Sequence, residues 1–175
     1  MNEFDFTLKF GLTSTVLEPN AYIERLAEEG CDDALIGVGQ SGRIALQFTR
    51  SAVNASDAIL SAIKDVKRAI SDAKLIEASP DLVGLSDIAE ILGFSRQNIR
   101  KLMLKHRASF PAPIHEGKAA LWHLYRVLTW LQQENRYSIS EPLLDVAKAN
   151  MQLNIAKEMA NLDPSLQAEV ISALA

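Results

Sequence analysis

Five side chains within ten residues could do recognisable chemistry: Arg96, Gln97, Arg100, Lys101 and Lys105. Stepped at about 100° per residue, they share one side of a helix, with Asn98 at its margin. Ile99, Leu102, Met103 and His106 gather on the other side. An arginine can hold guanine through two parallel hydrogen bonds, Gln or Asn can hold adenine, and Lys can neutralise a phosphate. Any solvated helix shows a charged face. The residues leading into this one give it a more specific meaning.

Upstream lies Leu85-Ser86-Asp87-Ile88-Ala89-Glu90-Ile91-Leu92-Gly93-Phe94-Ser95. Ser86 is expected to cap a first helix, with Ile88, Ile91 and Leu92 on its inner face. Gly93 is expected to end that helix, because glycine enters the left-handed region cheaply. Phe94 then fills the corner and Ser95 caps the second helix. This is the pattern of a helix-turn-helix, whose second helix reads the major groove. The expected contacts to DNA are Ser95, Arg96, Gln97, Asn98, Arg100, Lys101 and Lys105, joined by Lys118 from a loop further on.

Beyond the second helix stand Phe110-Pro111-Ala112-Pro113, and then Trp122, Val127, Trp130 and Leu131. With the helix pair, these residues resemble the compact winged helices of the AlpA and excisionase type, related to the DNA-binding heads of MerR regulators. In that family a Phe-Pro-x-Pro opens the wing, and a Trp-x4-Val-x2-Trp-aliphatic pattern runs into the following helix. The resemblance covers about 50 of the 175 residues. It implies a winged helix-turn-helix that binds double-stranded DNA. The wing tip, Glu116-Gly117-Lys118, departs from the more basic wings of that family.

Charge is distributed to match. The chain carries a formal net charge of −4. Residues 1–83 hold 8 basic and 13 acidic side chains, a net of −5, and residues 137–175 hold 2 and 5, a net of −3. Residues 84–136 hold 8 basic and 4 acidic side chains, a net of +4. The positive field is concentrated on the helix pair and its wing.

The elements before it read as α+β. Phe4, Phe6, Leu8 and Phe10 alternate with polar residues, which predicts a half-buried strand. Pro19 and Asn20 mark a helix start, with Tyr22, Ile23, Leu26 and Ala27 inward and Gly30 closing. Residues 34–38 and 44–48 read as a hairpin. Asn54 and Asp57 can cap a second helix striped by Ile59, Ala62, Ile63, Val66 and Ile70. Residues 74–78 read as a fourth strand. The βαββαβ order predicts a ferredoxin-like domain over residues 1–79. Within it, Gly37-Val38-Gly39-Gln40-Ser41-Gly42 matches the dinucleotide fingerprint G-x-G-x-x-G. That fingerprint needs a helix after the glycines, and the period-two run Ile44-Ala45-Leu46-Gln47-Phe48 indicates a strand instead. We read it as a hairpin turn at Gly39-Gln40-Ser41-Gly42.

Ser79-Pro80-Asp81 is the expected junction to the winged helix over residues 80–136. Residues 137–175 are expected to form a helical arm. Its stripe of Leu144, Ala147, Met151, Ile155, Met159 and Leu162 suits packing on the body or pairing of two chains. Asp163-Pro164 then opens a last short helix with Leu166, Val170 and Leu174.

One cysteine, Cys31, excludes an intramolecular disulfide and suits a reducing cytoplasm. Its acidic flanks disfavour a reactive thiolate. His106, His115 and His123 have no metal-ligand spacing, and no carboxylate pair, Ser/His/Asp set or phosphate loop stands out. The sequence thus reads as a cytoplasmic, non-enzymatic transcriptional regulator, with no metal, no cofactor and no membrane segment. It is expected to work as a homodimer on double-stranded DNA. The alternatives are a protein-interaction adaptor or antitoxin-like partner that uses the winged helix for protein contacts, and a small ligand-binding domain with an incidental wing.

Overall fold

The computed structural model describes residues 1–13, 19–40, 42–134 and 137–175, with backbone alone at 19–21 and 39–40. The expected turn at Gly39-Gln40-Ser41-Gly42 therefore lies partly outside the described residues. So do residues 135 and 136, at the boundary of the expected winged helix. Among the described residues there are seven helices and a four-stranded antiparallel sheet, a mixed α+β fold.

The alternating strand is β1 (Asn2–Gly11), and Phe4, Phe6, Leu8 and Phe10 are all buried. It is the second central strand of the sheet, paired with β3 (Arg43–Ala52) on one side and β4 (Lys74–Ser79) on the other. β2 (Ala34–Gln40) pairs with β3 at one edge, so the order is β2-β3-β1-β4. Ile44, Leu46 and Phe48 of β3 join the same buried face, and the rings of Phe6 and Phe48 stack 5.2 Å apart. The glycine-rich run lies on β2 and its link to β3, not ahead of a helix.

Two helices from the same stretch cover the buried face: α1 (Pro19–Glu28) and α2 (Ala55–Ala69). Asn54 caps α2, its Oδ1 accepting from the Asp57 amide at 2.8 Å. Among the described side chains of α1, Tyr22 and Leu26 are buried. Ile23 and Ala27, also expected inward, are exposed. A ten-residue helix touching its neighbours along one i, i+4 line buries that line alone, and Cys31 fills the space beyond it.

The second body starts with β5 (Leu82–Val83), pairs it with β6 (Trp122–His123), and continues into α5 (Leu124–Gln133). Its core holds Val83, Ile88, Ile99, Trp122, Val127, Leu128, Trp130 and Leu131. The two-residue strands had no period-two signal to reveal them.

The C-terminal segment divides. α6 (Glu141–Met159) is built into both bodies: Val146 and Ala149 belong to the sheet core, and Ala147 belongs to the second core. Of the expected stripe, Leu144 and Ala147 pack inward, Met151 is half-buried, and Ile155, Met159 and Leu162 are exposed. α6 also covers the outer edge of β4. Asn154 bonds both the amide and the carbonyl of Ala78, at 3.0 and 2.8 Å, and Lys157 Nζ donates to the Ile76 carbonyl at 2.6 Å. Such covering keeps a sheet edge from pairing with other chains. α7 (Pro164–Leu174) buries nothing.

The junction is fixed by buried polar groups. Asp81, 1% exposed, receives His123 Nδ1 at 2.7 Å on one carboxylate oxygen and Asn154 Nδ2 at 2.8 Å on the other. Asn150 Nδ2 donates to the Pro80 carbonyl at 3.2 Å. The expected punctuation at Ser79-Pro80-Asp81 is thus a packed joint rather than a free linker. No helix among the described residues is long and apolar enough to cross a membrane.

Sharing α6 between the cores should make unfolding cooperative. Both tryptophans lie in the second body, so their fluorescence reports on it alone. Leu46→Ala opens a cavity in the sheet core and should cost about 2–5 kcal/mol. We expect the tryptophan transition in urea to shift by the same amount as the far-ultraviolet circular dichroism. A tryptophan transition left unmoved would show that the two bodies unfold separately.

Candidate nucleic-acid interface

α3 (Leu85–Ile91) and α4 (Arg96–Lys105) form a helix pair around Gly93. The cap of α3 corrects the expectation for Ser86: Gly84 is the N-cap residue, and its amide donates to Asp87 Oδ2 at 2.7 Å. The cap lies two residues earlier than expected, which leaves Ser86 inside the first turn. Gly93 has φ of +69°, the left-handed conformation in which side chains are strained. The amide of Phe94 then donates to the Ala89 carbonyl at 2.7 Å, and its ring packs 4.9 Å from that of Tyr137. Ser95 Oγ accepts from the Asn98 amide at 3.2 Å and starts α4.

α4 is docked by one side only. Ile99 is buried, and Leu102 and Met103 are half-buried against the second core. Arg96, Gln97, Asn98, Arg100, Lys101 and Lys105 are all exposed, as is Ser95. His106 closes the helix with its amide on the Leu102 carbonyl at 3.0 Å, and its ring lies 5.7 Å from Trp130. Aromatic packing positions the return. Phe110 sits edge-on to Trp130 at 5.0 Å and to Trp122 at 6.0 Å, and Trp122 Nε1 donates to the Pro111 carbonyl at 3.0 Å. The chain then closes a hairpin loop through a bridge between His115 and Leu121, with Lys118 at its tip.

An open cleft of about 510 Å3 runs between the start of α3, the start of α4 and this loop. Arg96 and Arg100 line it from the helix and Lys118 from the loop, 18 residues further along the chain. The three cations belong to two separate elements that meet only in the folded chain. The acid that lines the cleft with them, Asp87, already accepts from the Gly84 amide. Gln97, Asn98, Lys101 and Lys105 do not line the cleft and continue along the exposed side of α4. Arg107 and Arg126 are also exposed in this body but were not among the expected contacts. Their charge alone gave a signal, without the periodicity that singled out α4. Chemically, the cleft can hold an anion, and the face beside it can form directional hydrogen bonds.

Comparison with known proteins finds no matching family model, no matching curated protein and no matching solved structure.

A second charged cluster lies in the sheet body. Arg50, 8% exposed, bonds Asp33 twice, at 2.6 and 2.9 Å, Asp65 at 2.6 Å and the Gly30 carbonyl at 2.8 Å. Burial alone would lower its pKa, but the hydrogen bonds to Asp33 and Asp65 outweigh that and hold it above its ordinary value. The guanidinium ties β3, α2 and the turn after α1 together. Its donors are committed within the protein, so the cluster offers little for a ligand.

Cys31 is buried beside it. Burial pushes the thiol up to about 11, Asp65 and Asp33 add to this, and Arg50 opposes it. A raised thiol pKa keeps the unreactive protonated form across the neutral range. We expect the native protein at pH 8 to resist a thiol reagent and to take up one equivalent after denaturation. Rapid native labelling would contradict this environment.

Proposed function

We propose that the protein binds double-stranded DNA through a winged helix-turn-helix and acts as a transcriptional regulator. In this reading α3 and α4 are the helix pair, α4 is the recognition helix, and the loop around Lys118 is the wing. The observation that carries the reading is the division of α4: an apolar side docked on the core, and a cationic and amide side whose first turns share a cleft with Lys118. A phosphate suits the Lys118 side of the cleft, and base edges suit Arg96 and Arg100 on its helix side and Gln97 and Asn98 beyond it. The local net charge of +4 over residues 84–136 favours the same partner.

We read the sheet body as ferredoxin-like, supported by its βαββαβ order and its β2-β3-β1-β4 antiparallel pairing. Its role is to support α6 and hold the DNA head in a fixed attitude. A single head offers three or four base contacts, too few for one site in a genome, so the working form is a two-fold dimer on a palindromic site. A second reading, contact with another protein through the same surface, draws on Leu104 and Ile114, which are 47% and 43% exposed.

Binding to duplex DNA across a salt series separates the two readings. If roughly five or six phosphates are neutralised per head, the log–log slope should be about −5. Binding that ignores salt would remove the DNA reading. Arg96→Ala, Gln97→Ala and Arg100→Ala should each cost about 1–3 kcal/mol on a selected site and relax its sequence preference. Lys105→Ala and Lys118→Ala should weaken selected and random duplexes alike. Equal effects of all five changes on both duplexes would show that α4 presents a different face.

A further inference from the structure

The last helix is left without a place to bury its stripe. Asp163 caps α7 by accepting from the Ser165 amide at 2.8 Å, and Pro164 opens it. Leu166, Val170 and Leu174 follow at i, i+4 and i+8, on one face. They are nevertheless 55%, 46% and 83% exposed, and no residue of the helix is buried. An isolated helix of eleven residues is marginal in water. A sequence that caps and stripes such a helix is suited to docking it against something apolar.

The same chain offers a surface of that kind. α2 and α6 flank an open groove of about 240 Å3, lined by Ile59, Leu60, Ala149, Leu153 and Ala156, with Ser56 and Gln152 as its only polar members. None of these residues is charged. The docking face of α7 carries no charge either, since Glu169 lies off the stripe. An amphipathic helix entering an apolar groove through anchors at i and i+4 is a common recognition mode.

We propose that α7 of one copy seats in the α2/α6 groove of a second copy, reciprocally, and that this exchange forms the dimer. The proposal rests on the DNA reading only in so far as that reading needs two heads. Ile155, Met159 and Leu162 stand exposed at and just beyond the C-terminal end of α6, outside the lining of the groove. Exchange between copies places these residues at the crossing point and covers them too. A stable interface takes roughly 800 Å2 from each copy, which calls for the crossing residues as well as the stripe of α7.

Sedimentation of the full chain at micromolar concentration is the first measurement. The expected mass is twice 19.2 kDa. The double change Val170→Glu with Leu174→Glu should give a 19.2 kDa species whose tryptophan fluorescence is unchanged, because both tryptophans lie in the second core and α7 does not belong to it. A monomeric unmodified protein, or a double variant that stays dimeric, overturns the proposal. Disulfide trapping supplies the geometry. A mixture of one chain carrying Leu60→Cys and another carrying Val170→Cys should yield a 60–170 cross-link between copies. A chain carrying both should yield the same bond between chains. A bond within one chain, or none, overturns it. The two readings fail separately. A dimer without salt-dependent DNA binding leaves the exchange standing and removes the DNA reading, whereas a DNA-binding monomer does the reverse.

Discussion

Helix α6 is buried on two sides, and each side belongs to a different core. Val146 and Ala149 close the sheet core, and Ala147 closes the core that holds both tryptophans. Small residues at these positions let the helix approach two bodies closely, and a larger side chain at any of them would force one body away. Asn150 and Asn154, one helical turn apart, then tie the same helix to the joint at Pro80 and Asp81. With His123 on the other carboxylate oxygen, Asp81 is satisfied by the second body and by α6 together. A buried carboxylate left without these donors would be costly. The attitude of one body to the other is therefore set by the same helix that completes both cores.

That arrangement governs the candidate interface. α4 is held by few apolar side chains, so its placement depends on the corner at Gly93 and Phe94 and on the aromatic group behind it. Phe94 packs on Tyr137, which lies just before α6, while Phe110, Trp122 and Trp130 fix the return of the loop. The cleft lined by Arg96, Arg100 and Lys118 is thus held open by packing on its far side. Among the described residues no ion pair engages its cations, and Asp87 beside them already accepts from the Gly84 amide. In the sheet body the opposite holds: Arg50 is consumed by Asp33 and Asp65, and Arg68 by Glu29 and Asp65. Arg50 and Arg68 are thus held by internal ties, whereas Arg96, Arg100 and Lys118 face solvent.

Local signals located much of this in advance. Alternation placed β1 and β3, the Asn54 and Ser95 caps placed α2 and α4, and Gly93 marked the corner, because each rests on contacts within a few residues. The two faces of α4 were legible for the same reason: a helix sorts its side chains by angle whatever surrounds it. The first cap of α3 was misread because Ser86 and Gly84 both suit that role, and the choice was made by Asp87 reaching back to the Gly84 amide. Ile23 and Ala27 were misplaced because periodicity marks an apolar side of α1 without saying how wide the contact on it is.

What sequence alone determined, then, were the elements, the local charge of the second body and the exposed face of α4. What tertiary structure decided was how the C-terminal segment is used. Its stripe of apolar residues fits a helix that packs on its own chain as well as one that pairs with another, since both require the same spacing. Only the folded chain shows that the first half of that stripe is consumed in a core while the exposed remainder continues onto α7. The meeting of Lys118 with Arg96 and Arg100 was beyond sequence for a related reason. It depends on where the aromatic return of residues 110–122 directs the loop, and that is set by packing between residues far apart in the chain.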